Sequence, residues 1–170
     1  ITREIEAARD GDSVRGARAF DGVFYSHMAH TVRNGLRALL LGYAGGRLER
    51  VPFKADLEPY YRQLARFSAG FALLTDVTLL SVGGGLKARQ RLSGRMADSL
   101  VALYYASAVI KFWHDQGYPP EQKPLVEWCL QRNLADLQDA LRGAVDNFPV
   151  PALRRPLRWL VFPPGHTRLS

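Results

Sequence analysis

Apolar residues recur along this chain at three- and four-residue intervals, and clusters of Gly and Pro cut the pattern into segments. Ile1 to Arg9 reads as the end of an upstream helix, stopped at Asp10-Gly11-Asp12. Ser13 is a candidate cap for a helix that runs to about Tyr43 and ends at Gly45-Gly46. Its apolar face holds Phe20, Phe24, Met28, Leu36, Leu39 and Leu40. Arg47 to Asp56, with Pro52, is a connection, and Asp56 is a candidate cap ahead of Pro59 in the next first turn. The second long helix places Leu64, Phe67, Phe71, Leu74, Thr78 and Val82 on one face and stops at Gly83-Gly84-Gly85.

Ser93 is the expected start of a third helix, with Met96, Leu100, Leu103, Ser107, Ile110 and Trp113 inward, ending at Gly117 before Pro119-Pro120. A fourth runs from about Glu121 to Phe148 on Leu130, Leu134, Leu137, Leu141 and Val145. Pro149 and Pro151 break it, and a short basic helix spans roughly Ala152 to Phe162. No alternating strand pattern appears. The fold expected is all-α: an antiparallel bundle of about four long helices plus a short C-terminal one, as a single helical domain over residues 1–170. Within it, residues 1–12 finish an upstream helix, and residues 149–170 are the basic helix and tail.

Composition changes this picture little. With 170 residues, 47% apolar and 23% charged, the chain can bury a core and is not of a disordered composition. Charge adds more: a net +7 and a pI near 9.9 favour anionic partners, namely nucleic acid, an anionic membrane surface or a phosphorylated ligand such as coenzyme A. A solvated basic surface accounts for the same excess. Cys129 is the single cysteine, which excludes an intrachain disulfide and suits a reducing compartment; it reads as a small packed thiol. No run of about 18 apolar residues occurs. The start at Ile1-Thr2-Arg3-Glu4 reads as an internal piece of a longer protein.

Several blocks resemble one family. They are Tyr60-Tyr61-Arg62-Gln63-Leu64-Ala65-Arg66-Phe67-Ser68-Ala69, Ala72-Leu73-Leu74-Thr75-Asp76-Val77, and Gly83-Gly84-Gly85-Leu86-Lys87-Ala88-Arg89-Gln90-Arg91-Leu92-Ser93-Gly94-Arg95. Leu103-Tyr104-Tyr105-Ala106-Ser107-Ala108-Val109-Ile110-Lys111, Asp146-Asn147-Phe148-Pro149 and Phe162-Pro163-Pro164-Gly165 follow in order. Together they resemble the C-terminal domain of the long bacterial acyl-CoA dehydrogenases of fatty acid β-oxidation, the FadE type, from about Phe20 to Gly165. Gly85 and Gln90 stand where that family's pattern has Ser and Glu. The resemblance implies a parent oxidoreductase that binds FAD and a fatty acyl-CoA and leaves a trans-2-enoyl-CoA. A cytoplasmic homodimer is expected, with peripheral contact at the inner face of the cell membrane left open as an alternative. The flavin fold and the carboxylate base would lie upstream, so no catalytic, cofactor-binding or metal residue is assigned here, and this piece alone is expected to be inactive. Its partners would be the catalytic domains of the same parent chain. The alternative is a stand-alone helical adaptor for a lipid, an acyl-CoA or another protein.

Two candidate contacts remain. Lys87, Arg89 and Arg91 after the glycine run suit phosphate oxygens, although G-x-x-x-x-G-K-[ST] is absent and a helix stop with a solvated basic turn is the favoured reading. Arg154, Arg155 and Arg158 beside Trp159 and Phe162 suit a membrane interface or another anion, against a reading in which the rings pack on the bundle. Asp76, among Leu and Val, reads as a buried acid paired with a neighbouring helix, and Asp98 is read alike. His27 and His30 lack a third ligand at a recognisable spacing, His114 and His166 add none, and no nucleic-acid signature accompanies the scattered charge.

Overall fold

A computed structural model describes residues 57–163, together with Ala29, Arg33 and Leu36. The chain divides into two compact units, Ile1–Asn34 and Gly35–Ser170, and every element below belongs to the second. These are α1 (Glu58–Ser81), a 3-10 helix (Gly83–Ala88), α2 (Gln90–Asp115), a 3-10 turn (Pro120–Gln122), α3 (Lys123–Asp146) and α4 (Pro151–Val161). The fold is all-α, with no strand among the described residues. Three of the four expected long helices and the short one are present. The expected helix ending at Tyr43, the residues before it, the Asp56 cap and residues after Pro163 lie outside the described residues, except that Ala29, Arg33 and Leu36 are helical. Leu36, expected on an apolar face, is exposed.

α1 begins with Pro59 in its first turn, where a missing N–H costs nothing. It buries Leu64, Phe67, Leu74 and Thr78, with Phe71 and Val82 partly covered, as the periodicity predicts. The Thr78 hydroxyl donates to the Leu74 carbonyl at 2.6 Å, so its burial leaves no orphan. One 18-residue window of α1 has mean hydropathy 1.3, long and apolar enough to cross a membrane, but half of that window is buried in the protein. Arg66 and Asp76, both buried and both partnered, complete the profile of a core helix. Gly83, at φ +52°, then takes a left-handed conformation that the other residues adopt only at a cost.

α2 starts earlier than expected, at Gln90 rather than Ser93, and without a side-chain cap. The Ser93 hydroxyl bonds back to the Arg89 and Gln90 carbonyls at 3.2 and 3.3 Å, inside the first turn. Its inward face also differs from expectation. Leu92, Ser99, Ala102, Leu103, Ala106, Ile110 and Trp113 are buried, whereas Leu100 and Ser107 are exposed. Small side chains at 99, 102 and 106 let the backbone of α2 lie close to α3, which rotates the large residues Leu100 and Tyr104 outward. α2 and α3 form the most extensive helix pair among the described residues. They run antiparallel: a short connection joins Asp115 to Lys123, and Arg95 near the start of α2 meets Gly143 near the end of α3.

That connection opens with a tight helix stop. Gly117 N–H bonds to the His114 carbonyl and Tyr118 N–H to the Trp113 carbonyl, each at 3.0 Å, the two bonds of a Schellman motif. Both Gly117 and Tyr118 have positive φ, +75° and +61°. Tyr118 tolerates it because its ring stands edge-on to Trp113 at 5.3 Å, while the Trp113 indole N–H donates to the Pro119 carbonyl at 3.0 Å. α3 carries the cleanest ladder: Leu130, Leu134, Leu137, Leu141 and Val145 all have no exposed surface. α4 docks Leu157 and Val161 onto α1 and α3. Gly70 of α1 permits this approach, since a Cβ there would stand 3.1 Å from a Val161 methyl.

Candidate functional site

The early stop of α1 and the uncapped start of α2 set out a basic end of the bundle. Lys87, Arg89 and Arg91 are all exposed there. Arg89 and Arg91 line a hollow of about 590 Å³ with Arg95 and Arg154; Lys87 is not part of its wall. The fold thus joins members of two candidate groups that lie more than sixty residues apart in sequence. Arg95 was not singled out by the sequence, although it stands one helical turn after Arg91, on the same face of α2. Its Nη1 donates to the Gly143 carbonyl at 2.9 Å, and the Asn147 amide donates to the same oxygen at 2.9 Å. Arg154 Nε donates to the Phe148 carbonyl at 2.7 Å.

The candidate residues of α4 separate. Arg154, Arg155, Arg158 and Trp159 are exposed, and Arg158 faces Asp146 at 3.6 Å. Phe162 is not on that surface. It is buried, its ring 6.3 Å from that of Phe67, with the Arg142 guanidinium 5.6 Å from its centre. Leu157 and Val161 are spent on the bundle as well, so the apolar stripe of this short helix points inward.

A third surface has no counterpart among the sequence candidates. Leu100, Val101, Tyr104, Tyr105 and Phe112, all on α2, are each more than half exposed, Tyr104 at 69%. Tyr61, Ala65, Ser68 and Phe71 of α1 face Leu100, Tyr104 and Ser107 of α2 across a groove of about 460 Å³. The sequence signal was present, in that apolar residues surround α2 on every side, but a search for one inward face assigned Leu100 to the core.

The acids divide too. Asp76 is buried and has a partner. Asp98 is exposed, contrary to its expected burial, because the small-residue face of α2 turns it outward. It lines an open hollow with Asp136 and Asp139, and Asp136 is paired with Arg132 at 3.0 Å. Among the described residues no group of His, Cys, Asp or Glu could hold a metal ion. His114 lies exposed beside Asp115; His27, His30 and His166 lie outside the described residues. Cys129 is half-buried, less covered than its sequence context implied. Burial without full solvation lowers Arg66 to a pKa of about 10, with its guanidinium 4.3 Å above the Phe67 ring.

Fold and surfaces together define an all-α domain that presents an apolar helix face and an arginine-lined hollow. The family model described as acyl-CoA dehydrogenase, C-terminal, bacterial type, matches residues 1–169, and the chain belongs to that family. No solved structure matches it. The hollows lined by the arginines, by Asp98 with Asp136 and Asp139, and by α1 with α2 are all open to solvent, and none of these three is the mostly apolar enclosure that a flavin ring system needs.

Proposed function

We propose that this chain is the non-catalytic C-terminal domain of an FAD-dependent acyl-CoA dehydrogenase that oxidises fatty acyl-CoA to trans-2-enoyl-CoA in fatty acid β-oxidation. Its role is to bind and support the catalytic domains of the same parent chain. The observation that carries this reading is the exposed apolar face of α2 in a domain of this family. Five large apolar side chains along one helix form a patch of the kind that soluble surfaces keep for partners. The C-terminal description of the family supports the catalytic part of the same chain as that partner, held at high effective concentration by the chain itself. Tyr104 and Tyr105 suit such an interface, each offering a large apolar body with a hydroxyl at the rim.

In this reading the flavin fold and the carboxylate base of the parent lie upstream of this domain, and the parent works as a cytoplasmic homodimer. A second reading, peripheral membrane contact through α4, is favoured by the exposure of Trp159 beside Arg155 and Arg158. With Phe162 buried, that contact rests on one ring and the charges, and it depends on anionic lipid and low salt.

The test is acyl-CoA dehydrogenase activity across substrate chain lengths, with flavin absorbance, on the full-length parent and on this chain. A yellow, active parent beside a colourless, inactive chain is expected. A parent with neither flavin nor activity would overturn the reading in favour of a helical adaptor.

A further inference from the structure

The end of the bundle where α2 begins, α3 ends and α4 begins gathers positive charge in one hollow. Arg89, Arg91, Arg95 and Arg154 line it, Gln90 and Asn147 add polar groups, and among the described residues no carboxylate is in the wall. Guanidinium groups stay protonated at any physiological pH, so four of them around one concavity make a positive site that favours an anion. None of the four forms an ion pair among the described residues; Asp146, nearby in sequence, faces Arg158 instead.

Part of the cluster has a structural explanation. Arg95 and Arg154 donate to the Gly143 and Phe148 carbonyls at and just beyond the C-terminal turn of α3, where unpaired carbonyls attract cations. Each bond uses one N–H of a guanidinium that has five; Arg95 is shared with the neighbouring hollow lined by Asp98, Asp136 and Asp139, and Arg154 is not. Room for Arg95 comes from Gly143, where a Cβ would stand 2.9 Å from the Arg95 Nε and 3.1 Å from its Cδ. That explanation does not extend to Arg89 and Arg91. They line the same hollow from the start of α2 and make no capping bond through their side chains among the described residues.

We propose that this hollow binds a phosphate ester. Planar guanidinium forks match phosphate oxygens two at a time, and several forks around one concavity select a multiply charged anion over a single carboxylate. At about 590 Å³ and open to solvent, the hollow accommodates more than one phosphoryl group and leaves an exit for the remainder of the molecule. A coenzyme A nucleotide and an anionic lipid headgroup share this chemistry. The choice of coenzyme A as a probe rests on the acyl-CoA reading above; the arginine cluster does not.

Arginine-selective modification with phenylglyoxal on the full-length parent, read residue by residue by mass spectrometry, tests the site. The two probes are coenzyme A and vesicles of phosphatidylglycerol with phosphatidylcholine. At least one should slow modification of Arg89 and Arg91 about threefold or more relative to Arg132, which is outside the hollow, and the protection should fade between about 0.05 and 0.5 M NaCl. Protection by coenzyme A assigns the nucleotide as source, and protection by vesicles alone assigns the lipid. If neither probe slows modification of Arg89 and Arg91 more than that of Arg132, the proposal is overturned. The residue-level readout separates this hollow from any coenzyme A bound at the catalytic centre. Flavin absorbance and activity of the same preparation report on the acyl-CoA reading independently. Gly143→Ala keeps every charge while displacing Arg95, and the probe concentration for half-protection of Arg91 should rise several-fold. An unchanged concentration would sink the four-arginine arrangement.

Discussion

α2 and α3 have nearly the same length and pack against each other, yet they are opposite kinds of helix. α3 has one apolar ladder, Leu130, Leu134, Leu137, Leu141 and Val145, with no exposed surface, and its exposed large residues, Leu125 and Trp128, stand only in its first turns. α2 turns Ser99, Ala102 and Ala106 inward together with Leu92, Leu103, Ile110 and Trp113, and carries Leu100, Val101, Tyr104, Tyr105 and Phe112 outward. The difference teaches that the large apolar residue is not always the core residue. Where two helices approach closely, Ser99, Ala102 and Ala106 make the contact, and the larger neighbours are left for something else.

The contrast breaks most sharply under truncation. Leu137→Ala in α3 should cost about 2–5 kcal/mol in denaturant unfolding of this chain, because a side chain with no exposed surface leaves a cavity. Tyr104→Ser in α2 should change the same unfolding by no more than about 0.5 kcal/mol, since the residue is 69% exposed. In the full-length parent the order of interest reverses: Tyr104→Ser together with Leu100→Ser should lower the temperature at which flavin is released. An α2 double variant as unstable in isolation as Leu137→Ala would show that the outer face belongs to the core after all.

A smaller effect sharpens the same point from the inside. Ala106→Leu adds three carbons to the α2–α3 contact, where Ala106 has no exposed surface, and should cost about 1–3 kcal/mol by overpacking. If close approach at 99, 102 and 106 is what sets the rotation of α2, Ala108→Leu on its exposed side should be nearly silent in the same unfolding series. Comparable losses at both positions would remove the small-residue explanation.

How much of this was legible follows the same division. The α3 ladder, the glycine stop after α1, and the Gly117 stop of α2 read directly from the sequence, because a single apolar period and glycine chemistry each admit one solution. The inward face of α2 did not, because a helix apolar on all sides has no unique phase. The arginine hollow was half legible. Arg89, Arg91 and Arg154 stood out as charges near glycine or aromatic residues, but only the antiparallel pairing of α2 with α3 puts Arg95 beside Gly143 and brings Arg154 to the same place. Phe162 was misplaced for a related reason: an aromatic beside arginines has the same local sequence whether it faces lipid or Phe67.

The next effect concerns where α2 ends. Gly117→Ala keeps the Schellman bonds but forces a Cβ into a backbone at φ +75°, with nothing within 4 Å to clash, so the cost is conformational alone. About 1 kcal/mol in unfolding is expected. A Gly83→Ala change at φ +52° should cost a similar amount, and a difference of several-fold between the two would mean that the Trp113–Tyr118 contact, not the backbone, governs the α2 stop.

The smallest effect is electrostatic and lies in the last turn of α2. An acid there has the wrong sign for the helix dipole, yet Asp115 is held below the ordinary carboxylate range. The hydrogen bond from Lys111 contributes most, with Nζ 2.7 and 3.1 Å from the two carboxylate oxygens, and the His114 ring adds to it at 3.3 Å. A carboxylate whose pKa falls on folding stabilises the fold above its unfolded pKa, and that contribution is lost as pH drops through the lower folded value. Because the carboxylate is open to solvent, at 48% side-chain exposure, salt should erase most of the effect. A carbon-detected NMR titration of the Asp115 carboxyl at low ionic strength should therefore give a midpoint below that of a model Asp peptide. Lys111→Gln should move the midpoint back up, and His114→Gln should move it less. A midpoint insensitive to Lys111→Gln would mean that the pair does not persist in solution and that the C-terminal turn of α2 is held by its Schellman bonds and the Trp113–Tyr118 contact alone.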